Sequence, residues 1–203
     1  MVRNSGIAVD WIIASPATPE LDTEHVHVPL DSVVSPAIAR NAALRAVVTP
    51  WVATVDDDDF LAPEFTVVAL RNMGNHDLCF SISQDFYPDG STVKWKGQLK
   101  PGMYAPEDYQ ALVSSYPLSV HPSTMLVKTG LLVDCGGWDE SLSQAEDIDC
   151  ALRLARRSGF RMENFVTHNY RKHDQQMTRN PEVAEVDTDI IRSVYQANGI
   201  ACD

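Results

Sequence analysis

The sequence predicts an α/β fold with a mostly parallel central sheet flanked by helices, and three features lead to it. Strand-like and helix-like stretches alternate along the chain, the rhythm of crossover units. Trp51-Val52-Ala53-Thr54-Val55 is a short β-prone run of the kind that suits a fully buried strand. That run opens into four consecutive carboxylates, Asp56-Asp57-Asp58-Asp59, and the carboxyl end of a strand in an open α/β sheet is where ligands bind.

The elements follow in order. Ile7 to Ala14 reads as a first strand, closed by Ser15-Pro16-Ala17-Thr18-Pro19, and His25 to Leu30 alternates as a second. Ser35 is a candidate N-cap with Pro36 at the first helical position, so a helix is expected over Ala37 to Val48. Thr49-Pro50 stops it ahead of the strand Trp51 to Val55. A helix is expected over Pro63 to Met73, closed by Gly74-Asn75, and then a strand over Leu78 to Ser83. Pro88-Asp89-Gly90 predicts the turn of a hairpin within Asp85 to Gln98. Pro106 to Ser115 reads as a short helix and Thr124 to Val127 as a strand. Ser143-x-x-Glu146 has the form of a capping box opening a helix with Ile148, Ala151, Leu152 and Ala155 on its apolar stripe, ended by Gly159. Phe165-Val166 reads as a last strand, and residues 181–198 as a C-terminal helix with Val183, Val186, Ile190, Ile191 and Val194 at helical spacing. No repeat or linker divides the chain, so residues 1–203 are expected to form a single domain.

Composition restricts the function. A chain of 203 residues with 44% hydrophobic and 22% charged residues has the profile of a globular domain with a substantial core. A net charge of −12 disfavours nucleic acid and anionic membranes, both of which need a basic face. An acidic protein still binds an anionic substrate when a metal ion supplies positive charge. Cys79, Cys135, Cys150 and Cys202 lack C-x-x-C spacing and read as reduced thiols. No long apolar stretch follows the N-terminus and none is long enough to span a bilayer, so neither a signal peptide nor an integral membrane segment is expected, and the location expected is cytoplasmic.

The acidic run reads either as a solvated loop or as a cage of hard oxygen ligands for a divalent cation. Its context favours the second. Ala39-Arg40-Asn41-Ala42-Ala43-Leu44 precedes it, Gly136-Gly137-Trp138-Asp139-Glu140 with Glu146-Asp147-Ile148-Asp149 and Arg153 follows, and Tyr170-Arg171-Lys172-His173 comes last. In this order and spacing the segments resemble the family 2 glycosyltransferases, whose single domain is a GT-A-like (Rossmann-like) α/β fold. The similarity extends from about Ile7 to about Thr178.

The resemblance implies a metal-dependent inverting transferase that moves a sugar from a nucleotide-diphosphate sugar to a hydroxyl acceptor. It implies Mg²⁺ or Mn²⁺ held by Asp58, with His173 as a further ligand and His168 as its rival. Asp56 is placed near the donor ribose and Arg40 near the donor base, Arg40 reading otherwise as an exposed helix arginine. Glu146 is counted with the donor-binding residues, although the capping box also accounts for it. Asp147 is the implied general base, or alternatively one more acidic residue favouring the helix dipole. Trp138 either stacks on a sugar face or plugs the core. Asp59 supports the metal ligands or caps the following helix, and His121 is left without a role.

One part of the family pattern departs from this sequence. The family's first strand and helix are expected to have no counterpart, and Ala14 to Thr18 stands where its usual acidic turn is expected. That allows a second reading, a non-catalytic GT-A-like subunit or sugar-nucleotide binding module, either a homo-oligomer or joined by a partner chain that completes the sheet. A processive synthase is disfavoured because no Q-x-x-R-W segment is found, and a nucleotidyltransferase because no Gly-rich phosphate loop is found.

Overall fold

The structure is a computed structural model that describes residues 8–72, 74–95, 99–113, 121–174 and 188–201. Its strands are β1 (Trp11–Ser15), β2 (His25–Pro29), β3 (Trp51–Ala53), β4 (Phe60–Leu61), β5 (Leu78–Phe86), β6 (Thr92–Lys94), β7 (Gly102–Tyr104), β8 (Leu126–Lys128) and β9 (Phe160–Arg171). Its α-helices are α1 (Pro36–Leu44), α2 (Glu64–Asn72), α3 (Thr129–Asp134), α4 (Glu146–Ser158) and α5 (Thr188–Ala197). Two 3₁₀ segments, Pro106–Val113 and Pro122–Thr124, complete the set. None of these helices is long and apolar enough to cross a membrane.

The main sheet runs β3-β8-β5-β9-β4, with β6 added to β5 and β7 to β9. Its centre is the parallel pair β5–β9, as expected, and the strands around that pair join it antiparallel. The sheet is therefore mixed, with its parallel character in the middle. β1 and β2 form a separate parallel pair. Leu78 and Phe80 on β5, Val127 on β8, Phe160 and Met162 on β9, and Leu152 and Leu154 on α4 are buried together in the core. Phe80 and Phe160 meet edge to face at 5.7 Å.

Several element boundaries differ from the sequence expectation for tertiary reasons. The strand expected at Phe165-Val166 is twelve residues long because β5, β4 and β7 all pair along it. The Pro106 helix is 3₁₀ as far as it is described. Helix α3 was not anticipated from the sequence. Residues 181–187 of the expected C-terminal helix, like Ile7, Met73 and residues 96–98, lie outside the described residues, and the helix is described from Thr188.

The capping box is not formed. Helix α4 starts at Glu146 after Ala145, which sits in the left-handed region at φ 60°, and no side chain caps the helix. Glu146 is thus the first helical residue rather than the third, and its carboxylate is free to bind elsewhere. Ser35, by contrast, caps α1 as expected, its hydroxyl accepting from the Ile38 N–H.

Motif residues hold α1 and α4 to the loop between α3 and α4. Asn41 donates to the Trp138 carbonyl at 2.7 Å and accepts from the Trp138 N–H at 3.0 Å. Arg153 pairs with Asp149 at 2.7 Å and donates to the carbonyls of Gly137 and Cys135. Gly137 has φ +66°, and a Cβ there would strike the Asn41 amide oxygen. Gly137→Ala is therefore expected to lower stability by about 1–3 kcal/mol. Denaturant unfolding measures this, and an unchanged midpoint would mean the loop tolerates the side chain.

Candidate active site

Local and long-range structure together build the acidic turn. Strand β3 ends at Ala53, two residues earlier than its pattern suggests, and an Asp59 N–H to Asp56 carbonyl bond of 3.2 Å closes the turn. The chain then enters β4, which pairs with β9 in the register Phe60–Asn169 and Leu61–His168. This pairing brings residues after Tyr170 alongside the turn.

The four aspartates meet different environments. Asp56 accepts from Arg40 at 2.9 Å, and Asp57 is exposed. Asp58 Oδ2 lies 3.0 Å from His173 Nε2, with both side chains about a third exposed, at 34% and 27%. The Asp59 carboxylate is fully buried, accepting from His168 Nε2 at 2.9 Å and from the Arg171 N–H at 2.9 Å.

Arg40 connects this turn to α4. Its second guanidinium nitrogen donates to Glu146 at 2.7 Å, and only 15% of its side chain is exposed. The exposed-arginine reading of Arg40 is thereby corrected, because α1 faces both carboxylates. Burial alone would lower its pKa, but Asp56, Glu146 and Asp147 outweigh that and raise it. Arg40, Asp56, Glu146 and Asp147 thus share one region of the molecule.

Asp147 follows Glu146 in the first turn of α4 and accepts from the Ile148 N–H at 2.8 Å. Burial, and then the neighbouring Glu146, push its pKa up to about 6, against the opposing pull of Arg40. An ionised carboxylate with a pKa near neutrality is suited to accepting a proton. Asp147 lines a cavity with His121, Trp138, Phe80 and Leu152. Burial, and then the proximity of His168, push the His121 pKa down to about 3, so its ring is neutral at pH 7. Trp138 is 2% exposed within the core, with no hydrogen-bond partner for its indole nitrogen among the described residues. Its position matches the core-filling alternative.

Two sets of side chains have donor atoms suited to a cation. Asp58 Oδ2 and His173 Nε2 are 3.0 Å apart and partly exposed. Two adjacent ligands of an octahedral ion at about 2.1 Å lie about 3.0 Å from one another, so the spacing of this pair would admit a divalent cation. Asp59, His121 and His168 also cluster, with donor atoms within 4.8 Å of one another. In that cluster, however, both oxygens of the buried Asp59 carboxylate and both ring nitrogens of His168 are taken by hydrogen bonds within the protein, and His121 Nδ1 accepts from the Ser123 N–H at 3.2 Å. A neutral His121 then carries its proton on Nε2 and has no lone pair there for a metal.

Sequence reasoning left out Ser83, which bonds to His168 Nδ1 at 2.8 Å. The only sequence signal was a polar residue in an otherwise buried strand. Its partner lies 85 residues away.

Comparison with known proteins agrees with this geometry. The family model described as glycosyl transferase family 2 matches residues 26–130, just over half of the chain. No curated protein matches. Among solved structures, the chain is similar to the 1–349 fragment of S. aureus TarS in complex with UDP-GlcNAc, with a TM-score of 0.62 and 17% identity over 84% of this chain and 49% of that one. It is also similar to the same fragment in complex with UDP, with a TM-score of 0.56 and 17% identity over 74% of this chain and 44% of that one. The chain therefore spans about half the length of these structures, and the likeness is one of fold. On the family match and the α/β architecture, the chain belongs to glycosyl transferase family 2 and has a GT-A-like fold.

Proposed function

We propose that this chain transfers a sugar, with inversion, from a nucleotide-diphosphate sugar to a hydroxyl acceptor. The observation that carries the reading is Arg40 bonded to both Asp56 and Glu146, which puts the acidic turn and the start of α4 in one site. Family membership supports the reaction class. The UDP-GlcNAc and UDP in the TarS structures support a nucleotide-sugar donor.

Each residue has a role that follows from its surroundings. Asp58 and His173 would hold Mg²⁺ or Mn²⁺, which when bound would supply Lewis-acid stabilisation to the departing diphosphate. Asp56 and Arg40 line the donor side, Asp56 toward the ribose. Glu146 keeps Arg40 oriented. Asp147 accepts the proton of the attacking hydroxyl, and its raised pKa makes it a stronger base than an ordinary aspartate while leaving it mostly ionised at neutral pH. In a single displacement the hydroxyl attacks the anomeric carbon opposite the leaving group, which inverts its configuration.

A second reading, a sugar-nucleotide binding module that needs a partner strand, draws on one observation. Strand β1 pairs only with β2 among the described residues, so this pair of strands is separate from the main sheet. Calorimetry with nucleotide sugars separates the two: binding without transfer or hydrolysis supports the module.

Turnover of a nucleotide sugar with Mn²⁺ is expected to fall about 100-fold or more in Asp58→Ala and in Asp147→Asn. Unaltered turnover in both rejects the reading. The kcat of the parent is expected to rise as pH passes through about 6, because Asp147 must lose its proton to act as base. A rate independent of pH between 5 and 8 argues against Asp147 in that role.

The same group makes a stability prediction. The Asp147 pKa is about 6 in the fold against an ordinary 3.8, so the folded state binds the proton more tightly than the unfolded state. Its contribution is present below about pH 4 and is lost as pH rises through about 6. Asp147→Asn is therefore expected to melt a few degrees above the parent at pH 8, with the gap closing toward pH 4. Thermal melts at both pH values measure this, and a gap independent of pH rejects it.

A further inference from the structure

The chemistry above makes no use of His168 or Ser83, yet they form a continuous hydrogen-bonded chain from the middle of the sheet to the acidic turn. Ser83 and His168 are register partners across the parallel β5–β9 pair, with Ser83 Oγ 2.8 Å from His168 Nδ1. The opposite ring nitrogen, Nε2, is 2.9 Å from Asp59 Oδ2. The His168 and Asp59 side chains are both 0% exposed, and Ser83 is 3% exposed. A carboxylate offers only acceptors, so Nε2 carries a proton and donates to Asp59, while Ser83 Oγ is the partner of Nδ1. The ring also stacks on His121 at 4.5 Å with 15° between the planes. His168 cannot turn without losing two hydrogen bonds and this stacking.

Strand β9 fixes the turn through other contacts as well. The second Asp59 oxygen accepts from the Arg171 N–H at 2.9 Å, and Arg171 Nε donates to the Asp58 carbonyl at 2.7 Å. His173, two residues later, is the side chain that meets Asp58 Oδ2. Both sides of the Asp58–His173 pair are therefore anchored to the end of β9 from which His168 projects. Releasing Asp59 would leave a buried carboxylate short of a partner, and the turn would move to rehydrate it.

We propose that His168, held by Ser83, is a positioning residue for the divalent cation: by locking Asp59 it keeps Asp58 Oδ2 at ligand distance from His173 without touching the metal itself. The proposal rests on the reading of Asp58 and His173 as metal ligands. Groups that orient the ligands of a metal typically alter its affinity by about 10–100-fold when removed.

The test is Mn²⁺ binding to the full chain, followed by electron paramagnetic resonance, with circular dichroism confirming that each variant folds. The parent is expected to bind, and Asp58→Ala to abolish binding. His168→Met is expected to weaken affinity by about 10–100-fold. His168→Gln, whose amide can donate to Asp59 from near the Nε2 position, is expected to recover most of the loss. At saturating Mn²⁺ the ¹⁴N coupling of a bound imidazole is expected to persist in both His168 variants and to vanish in His173→Ala. An unchanged affinity in His168→Met overturns the proposal while leaving the metal reading intact. Loss of the ¹⁴N coupling on changing His168, with retention in His173→Ala, makes His168 a ligand and overturns it as well. A parent that binds no Mn²⁺ overturns the metal reading and this proposal together. Should His168→Met not fold, Ser83→Ala carries the test: about threefold weaker binding supports the proposal, and unchanged binding rejects it.

Discussion

The guanidinium of Arg40 lies between two carboxylates, Asp56 and Glu146, at 2.9 and 2.7 Å, and the candidate site depends on that contact. Asp56 opens the turn beyond a strand, Glu146 opens a helix, and Arg40 belongs to a third element. With mostly buried side chains at this point, removal of the cation would leave like charges facing one another in a poorly screened environment. The planar fork of arginine serves two acceptors at once, which the compact ammonium of a lysine does not do with the same geometry. Asp147, adjacent to Glu146, feels this cation as the force that opposes its own desolvation.

Four consecutive aspartates are an unfavourable run for a tight turn, and the fold accommodates them by giving each a different environment. Arg40 compensates Asp56, solvent surrounds Asp57, His173 meets Asp58, and Asp59 is buried against His168 and a backbone N–H. All four of these protein partners come from α1 or from β9 and the residues just beyond it, so the turn is held by elements that are distant in sequence. Strand β9 matters most here. It pairs in parallel with β5 through the core and antiparallel with β4 beside the turn, and its end delivers the residues that meet Asp58 and Asp59.

Much of the supposed catalytic signature turns out to hold the scaffold together. Asn41 bonds both ways to the Trp138 backbone, and Arg153 ties α4 to the preceding loop. Gly137 is needed because a side chain there would meet Asn41. Trp138 fills the core. Around these supports stand the groups proposed to carry the chemistry: Asp58, His173, Arg40, Asp56, Glu146 and Asp147. The motif is therefore a recipe for bringing α1, the acidic turn and α4 together as much as a set of reacting groups.

The sequence by itself determined what depends on near neighbours. The Ser35-Pro36 helix start, the β-prone run before Asp56, the apolar stripe of α4 and its end at Gly159 are all written in local pattern, because capping, periodicity and left-handed glycine conformations act within a few residues. Motif order also pointed to Asp58, Arg40 and Asp56 as neighbours, with His173 and His168 as rival partners, and the structure shows Arg40 bonded to Asp56. Only the tertiary structure decided which histidine meets which aspartate, that Glu146 serves Arg40 instead of a capping box, and that Ser83 stands behind His168. Those outcomes are set by strand register and helix placement between residues some 80 to 115 positions apart. A shift of one residue in β9 would send each of its side chains to the other face, and nothing local to the chain specifies that register.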